Sequence, residues 1–89
     1  MQLRLSMSIA KTVYGLVSPY EWDGNGNPLR VKICSRGEID YYVVDNDRGI
    51  MLLQYVRKWV TASGSISRIG GLNIIDLEDF KIQNIGGDL

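Results

Sequence analysis

The sequence predicts an all-β domain with one helix, a five-stranded barrel in the order β-β-β-α-β-β. Five segments alternate apolar and polar residues, as strands with one buried face do. A sixth segment, between the third and fourth of these, has apolar residues at helical spacing. Because the chain has only 89 residues, it has room for one domain.

The first predicted strand covers residues 11–17 and contains a glycine, Gly15, at its centre. A glycine inside a strand usually marks a bulge or a sharp bend, and a small closed barrel needs such a bend. Ser18-Pro19 is expected to end this strand. The following segment 23–28, DGNGNP, predicts a hairpin turn because Asn-Gly readily adopts positive φ angles.

The second and third strands are predicted at 29–36 and 39–44. In the second strand the alternation places Leu29 on the inner face with the next two aliphatic residues, and the basic residues on the outer face. In the third strand we take Tyr42 and Val44 as the inward residues.

A helix is predicted over residues 48–58, with the polar segment 45–47, DND, at its N-terminus and Arg57-Lys58 in its last turn. The fourth strand is expected at 59–66. A Gly-Gly turn then leads into a fifth strand at 72–82.

These elements define the predicted core and the domain bounds. Residues 1–10 form an N-terminal extension or the start of the first strand, 11–83 form the barrel, and 84–89 form a flexible tail. The core is expected to contain Val13, Val17, Val31, Ile33, Val44, Leu52, Val60, Ile66, Ile75 and Leu77.

The composition argues against most catalytic and metal chemistry. The chain has no histidine, and its single cysteine, Cys34, has no second cysteine with which to form a disulfide or a zinc site. Histidine is the commonest general base and metal ligand, so a catalytic role, a metal site and a bound cofactor are not expected.

The charges balance over the whole chain but not along it. Ten lysines and arginines match ten acidic residues, so no overall field attracts phosphates. Basic residues are nevertheless in excess over residues 1–36. No apolar run approaches the length of a membrane span, and residues 1–10 lack the continuous apolar region of a signal peptide. A soluble, cytoplasmic protein is therefore predicted, and a leader upstream of Met1 stays open.

The order of elements and the placement of glycines resemble the oligonucleotide/oligosaccharide-binding (OB) fold, in particular small bacterial OB-like domains of uncharacterised function. The resemblance covers roughly residues 11–83, and it includes the first strand with its central glycine, the loop at Trp22-Asp23 and the helix that opens near Asn46. It implies a binding domain whose ligands include nucleic acids and sugars, although many small members are plain interaction domains.

One outer surface is the candidate ligand or partner face. Single strands bind OB barrels by stacking on exposed aromatic residues while basic side chains follow the backbone. The alternation places both kinds of residue on the outside of the first three strands and the loop between the first two. The candidate face comprises Tyr14, Leu16, Tyr20, Trp22, Arg30, Lys32, Arg36, Tyr41 and Val43.

Two functions fit this face. Its apolar and aromatic residues favour a protein-interaction or assembly module, whose partner is another protein or a second copy of the chain. Its basic residues favour the alternative, single-stranded nucleic-acid binding. We favour the assembly module, because the total charge is zero and acidic residues, among them Glu21, Asp23, Asp40 and Asp45, interrupt the basic ones.

Overall fold

Residues 9–83, which the computed structural model describes, form a closed five-stranded β-barrel in the order β1-β2-β3-β5-β4. All pairs of neighbouring strands are antiparallel except β3 and β5, which are parallel. The elements are β1 (Ile9–Trp22), β2 (Pro28–Ser35), β3 (Asp40–Val43), α1 (Asp47–Met51) with a 3-10 helix (Leu52–Tyr55) directly after it, β4 (Trp59–Ile69) and β5 (Leu72–Ile82).

This architecture confirms the predicted fold class and order of elements. Strand β5 has the predicted bounds, and the Gly-Gly turn before it is present, with positive φ angles at both glycines. Residues 1–8 of the predicted N-terminal extension and the predicted tail, 84–89, lie outside the described residues.

Gly15 lies at the point along β1 where pairing with β4 ends and pairing with β2 begins. Strand β1 pairs with β4 over residues 9–16 and with β2 over residues 15–22, so Gly15 is paired on both sides. A Cβ atom at Gly15 would lie 2.5 Å from the carbonyl oxygen of Cys34 and 2.8 Å from a side-chain methyl carbon of Ile33. The glycine in the first strand is therefore required by close approach of the backbone of β2.

Strand β1 is longer than predicted, because Pro19 does not end it. Val17 exchanges backbone hydrogen bonds with Arg57 and Lys58, on the side of β1 opposite β2. Pro19 is two residues further along, so its backbone nitrogen faces the same side, where β4 no longer pairs with β1. The missing N–H of Pro19 therefore removes no bond to β2, and the strand continues to Trp22.

The inward residues of β3 are Tyr41 and Val43, so the predicted orientation of this strand is wrong. Tyr41 lies opposite Ile33 of β2, and Val43 lies opposite Ile75 of β5. Because directly opposite residues project from the same face of a sheet, Tyr41 and Val43 share the inner face with those two buried isoleucines. The predicted inward residues Tyr42 and Val44 are half-buried.

The helical segment is capped as predicted but ends earlier. The side chain of Asn46 accepts a 2.9 Å hydrogen bond from the backbone N–H of Gly49, which caps α1. Val56 is extended, with φ −57° and ψ 134°, and Arg57 has a left-handed φ of 73°. These two conformations end the helical segment before Arg57 and Lys58, which were expected in its last turn.

The core lies inside the barrel, with Leu52 of the 3-10 helix fully buried against it. Eight of the ten predicted core residues are buried. Ile66 is partly buried against the core, and Val44 is half-buried. Leu29, predicted to face inward, is exposed near the start of β2. The core consists of Val13, Val17, Val31, Ile33, Tyr41, Val43, Leu52, Val60, Ala62, Ile75 and Leu77.

Candidate interaction surfaces

The structure distributes the nine residues of the predicted face over five places. Tyr14 and Leu16 lie where β1 pairs with β4, next to Trp59, and Tyr14 stacks on the Trp59 ring at a centroid distance of 5.3 Å. Tyr20, Arg30 and Lys32 lie on the outside of β1 and β2, whereas Trp22 lies at the end of β1 and Arg36 in the turn between β2 and β3. Tyr41 and Val43 lie inside the barrel.

Tyr41 and Val43 therefore cannot form part of an outer binding face. Tyr41 is only 5% exposed. Its outward neighbour Tyr42 takes the predicted position, where the ring of Tyr20 meets it edge-on at 5.0 Å. Burial raises the pKa of the Tyr20 phenol above its ordinary value of 10.0. Tyr20–Tyr42 is thus a second aromatic pair on the outside of the barrel, besides Tyr14–Trp59.

Arg30 is held by two carboxylates. Its guanidinium donates to Glu21 at 2.6 Å and to Asp45 at 3.4 Å, which ties β2 to the end of β1 and to the segment before α1. The hydrogen bond to Glu21 and the charges of both acids raise the pKa of Arg30. Two negative charges therefore surround this cation, and the local charge is negative rather than positive.

Lys32 is paired in the same way. Its ammonium group donates to Asp40 of β3 at 2.9 Å and lies 5.6 Å from the centre of the Tyr42 ring. The hydrogen bond to Asp40 raises the pKa of Lys32. Both strand cations of the predicted face, Arg30 and Lys32, are therefore bound by acids of the same surface.

The turn between β1 and β2 is built around Asp23. Its carboxylate accepts backbone hydrogen bonds from Asn25 at 2.8 Å and from Asn27 at 2.9 Å. These bonds lower the pKa of Asp23 below its ordinary value of 3.8. Gly26 has the predicted positive φ, 85°, whereas Asn25 does not have one. The turn confirms the prediction made from DGNGNP, and it holds Trp22 opposite Pro28.

Residues 9–83 contain eight exposed large apolar side chains, and all eight lie at the two ends of the barrel. None lies on its wall, the outer surface of the paired strands between the ends. The helix-end surface comprises Trp22, Leu29, Ile50 and Met51, and the turn-end surface comprises Ile9, Ile39, Ile69 and Leu72. Single exposed apolar residues are common on proteins, so it is the gathering of four at each end of the barrel that points to interaction sites.

The helix-end surface is brought together by the β1–β2 hairpin and α1. Leu29 and Ile50 line the same cleft between the start of β2 and the helix, and Trp22 is opposite Pro28, the residue before Leu29. The cleft has a volume of about 10 Å³, which is room for roughly one water molecule. A ligand of this surface would therefore lie across it rather than inside it.

The turn-end surface is brought together by strand pairing. Ile69 and Leu72 are opposite each other at the β4–β5 turn and project from the same face of the sheet. Ile9 pairs with Ile66, three residues before Ile69, so it lies at the same end but projects from the other face. The parallel pairing of β3 with β5 brings Ile39, which directly precedes β3, to the same end.

Sequence reasoning missed most of these end residues. It assigned apolar residues to one of two strand faces, but a strand that extends past the barrel exposes residues of both faces. The available signal was an apolar residue directly beside a turn, as in Ile69-Gly70-Gly71-Leu72. Trp22 is the one end residue that the predicted face included.

Comparison of the chain with protein-family models, curated proteins and solved structures finds no significant match. Within residues 9–83, no group of three or more histidine, cysteine or acidic side chains is placed to bind a metal ion. Neither of the two short helical segments in this range has the length needed to cross a bilayer.

Proposed function

We propose that this domain is a non-catalytic binding domain with an OB-like barrel, which acts as a protein-interaction or assembly module through the ends of the barrel. The grouping of its exposed large apolar residues into the helix-end and turn-end surfaces carries this proposal. Burying apolar area stabilises an interface by about 25 cal/mol per Å², and contiguous exposed patches on small proteins mark such interfaces.

The paired cations of the wall support the same proposal. A protein that binds single strands needs basic groups that are available to phosphates, since release of counterions supplies much of the affinity. Arg30 and Lys32 are already bound to carboxylates at 2.6 and 2.9 Å. Nucleic-acid binding, the alternative prediction, would require these ion pairs to open and three acids to approach phosphates.

The OB-like character of the barrel is supported by its strand order and by the single parallel pair, β3 with β5. The helical segment between β3 and β4 fits this pattern. A bacterial origin and a cytoplasmic location stay predictions.

The experiment compares two binding activities of the same protein. Fluorescence anisotropy with mixed-sequence single-stranded DNA, at about 50 to 200 mM salt, measures nucleic-acid binding. Cross-linking followed by mass spectrometry in source cells identifies which surface residues contact other chains. We expect weak or no DNA binding, and cross-linked peptides that contain helix-end or turn-end residues.

Two results would contradict the proposal. One is micromolar, salt-sensitive DNA binding that Lys32→Met weakens. The other is a set of cross-links that avoids both ends and maps to the wall around Tyr20 and Tyr42.

A further inference from the structure

We infer that the partner of each end is a second copy of this chain, so that the helix-end surface of one copy binds the turn-end surface of the next. This inference rests on the proposed function and specifies its partner. The two surfaces are both apolar at their centres, and they carry charges of opposite sign around them.

The helix end is surrounded by an excess of negative charge. Glu21 and Asp23 lie at the end of β1 and in the turn after it, and Asp45 and Asp47 lie on either side of the helix cap. Arg30 is the cation that pairs with two of these acids, Glu21 and Asp45. Four acidic residues therefore lie at the end that carries Leu29 and Ile50, and two of them, Glu21 and Asp45, are bound to Arg30.

The turn end has an excess of positive charge. Arg36 lies in the β2–β3 turn, and Arg68 lies beside Ile69 and donates a 3.3 Å hydrogen bond to the neutral side chain of Asn73. Lys11, near the start of β1, holds its ammonium group 5.9 Å from the centre of the Tyr41 ring. Glu38 is the acid of this end, since the carboxylate of Asp40 is bound to Lys32.

The signs of these charges select one kind of contact. A two-fold dimer through either end would bring like charges together, whereas a head-to-tail contact brings the acidic rim against the basic one. The other cations of the helical segment do not remove this difference. Arg48 pairs with Asp79 on β5, and Arg57 and Lys58 lie beside Val17, on the side of β1 opposite β2.

The geometry excludes an internal contact between the two surfaces. Ile9 and Trp22 are the first and last residues of β1, a strand of 14 residues. At about 3.3 Å per residue, even a bent strand keeps these ends tens of ångströms apart. After one head-to-tail contact the second surface of each copy is still open, so we infer that the contact propagates from copy to copy as a ring or a filament; a wild type that stops at a dimer would contradict this arrangement.

The experiment uses two pairs of serine substitutions that remove apolar area and leave every charge in place. The helix-end variant is Leu29→Ser with Ile50→Ser, and the turn-end variant is Ile69→Ser with Leu72→Ser. Sedimentation velocity measures the mass of each protein over a range of concentrations up to about 1 mM, which detects even weak association.

We expect the wild-type protein to form species larger than dimers as its concentration rises, and each variant alone to stay monomeric. An equimolar mixture of the two variants should form a 1:1 dimer that does not grow, because only one complementary pair of surfaces is intact in the mixture. Circular dichroism confirms that both variants are folded, since all four residues are exposed.

A matched control removes apolar side chains from the barrel wall. Tyr14→Ser with Leu16→Ser changes the sequence-predicted face but neither end, so self-association should be unchanged. Because both residues are half-buried and Tyr14 stacks on Trp59, circular dichroism first establishes the conditions in which this control is folded. Raising the salt concentration should weaken association of the wild type, and Arg68→Glu should weaken it about tenfold. Asp47→Lys in the partner copy should restore part of this loss.

Three outcomes would overturn the inference. The wild type could stay monomeric at all concentrations, one serine variant could still dimerise by itself, or the mixture could fail to form the 1:1 dimer. If the chain is monomeric while cross-links in cells still map to its ends, the inference fails and the proposed function stands. If the ends make no contact with any protein, both fail.

Discussion

The wall of the barrel and its two ends differ in how their side chains find partners. On the wall, Arg30 and Lys32 are bound to acids of neighbouring strands, and Tyr14 and Tyr20 are packed against other aromatic rings. At the ends, Ile50 and the other seven large apolar residues are exposed. The comparison shows that residue type alone does not identify a binding surface, because a charged or aromatic residue that is already paired on its own chain contributes to stability instead.

The strongest test of this difference is Gly15→Val, a change in the wall. The new side chain would overlap the backbone of Cys34 and the side chain of Ile33, because even its Cβ would lie 2.5 and 2.8 Å from their atoms. We expect a loss of about 3 kcal/mol or more in the free energy of unfolding, measured by urea denaturation.

Gly24→Ala is the matched control, since a Cβ at Gly24 meets no atom within 4 Å. Its effect should stay within about 0.5 kcal/mol. Equal stability of Gly15→Val and the wild type would show that β1 and β2 do not approach each other as described.

The second test compares two neighbouring residues of the helical segment, one inside and one at the end surface. Leu52 is fully buried, whereas Met51 is 46% exposed. Leu52→Ala should lower the free energy of unfolding by about 2–5 kcal/mol, and Met51→Ala should change it by less than about 1 kcal/mol. A large loss of thermal stability in Met51→Ala would place this residue in the core and remove it from the helix-end surface.

The third test concerns the cap that holds α1 at the helix end. Asn46 accepts a hydrogen bond from Gly49 and donates one of 2.8 Å to the carboxylate of Asp76. Asn46→Ala should cost about 1–2 kcal/mol in chemical denaturation. Asn46→Asp keeps the acceptor for Gly49 but places a second carboxylate beside that of Asp76. Its stability should therefore lie between those of the wild type and Asn46→Ala, and it should increase with salt concentration. A salt-independent result would contradict the role of Asp76.

The smallest effect is expected at Asp23, because its carboxylate lies in a surface turn and bonds only to residues of that turn. Its pKa is lowered in the folded protein, so its charge contributes stability above its ordinary pKa, and this contribution is lost as the pH falls through the folded value. Asp23→Asn keeps the acceptor oxygen but lacks the charge. The wild type should therefore be the more stable protein at neutral pH, and the difference should vanish in strong acid.

Urea midpoints at several pH values below about 6 measure this difference. Glu78→Gln on β5 serves as a control for removal of an exposed carboxylate outside the turn. If the difference in urea midpoint between Asp23→Asn and the wild type stays the same in strong acid, the charge of Asp23 is not the source of the difference.

The sequence was sufficient for the order of elements and most of the core, because alternation in β2, β4 and β5 is regular. It failed for β3, where the segment 41–44, YYVV, is apolar on both faces. The orientation of this strand is decided by the pairing of Tyr41 with Ile33 and of Val43 with Ile75, and these are contacts between distant residues. No local pattern contains that information.

The ion pairs and the end surfaces could not be predicted from local sequence patterns either. The acids Glu21, Asp40 and Asp45 were recognised as interruptions of a basic surface, but their bonds to Arg30 and Lys32 depend on the register of three strands. The same register determines where each strand leaves the barrel, and hence that Leu29, an apparent core residue, is exposed.

The short contact between β3 and β5 affects how the barrel opens. Only Tyr41, Tyr42 and Val43 pair with β5, whereas β4 and β5 pair along ten positions. Separation of β3 from β5 would convert the closed barrel into a curved sheet while the other four strand pairs stay intact. Strand β3 is equally short where it pairs with β2, over three positions. We therefore expect backbone amides on both sides of β3 to exchange with deuterium before those of the β4–β5 pair, through local opening that does not require global unfolding.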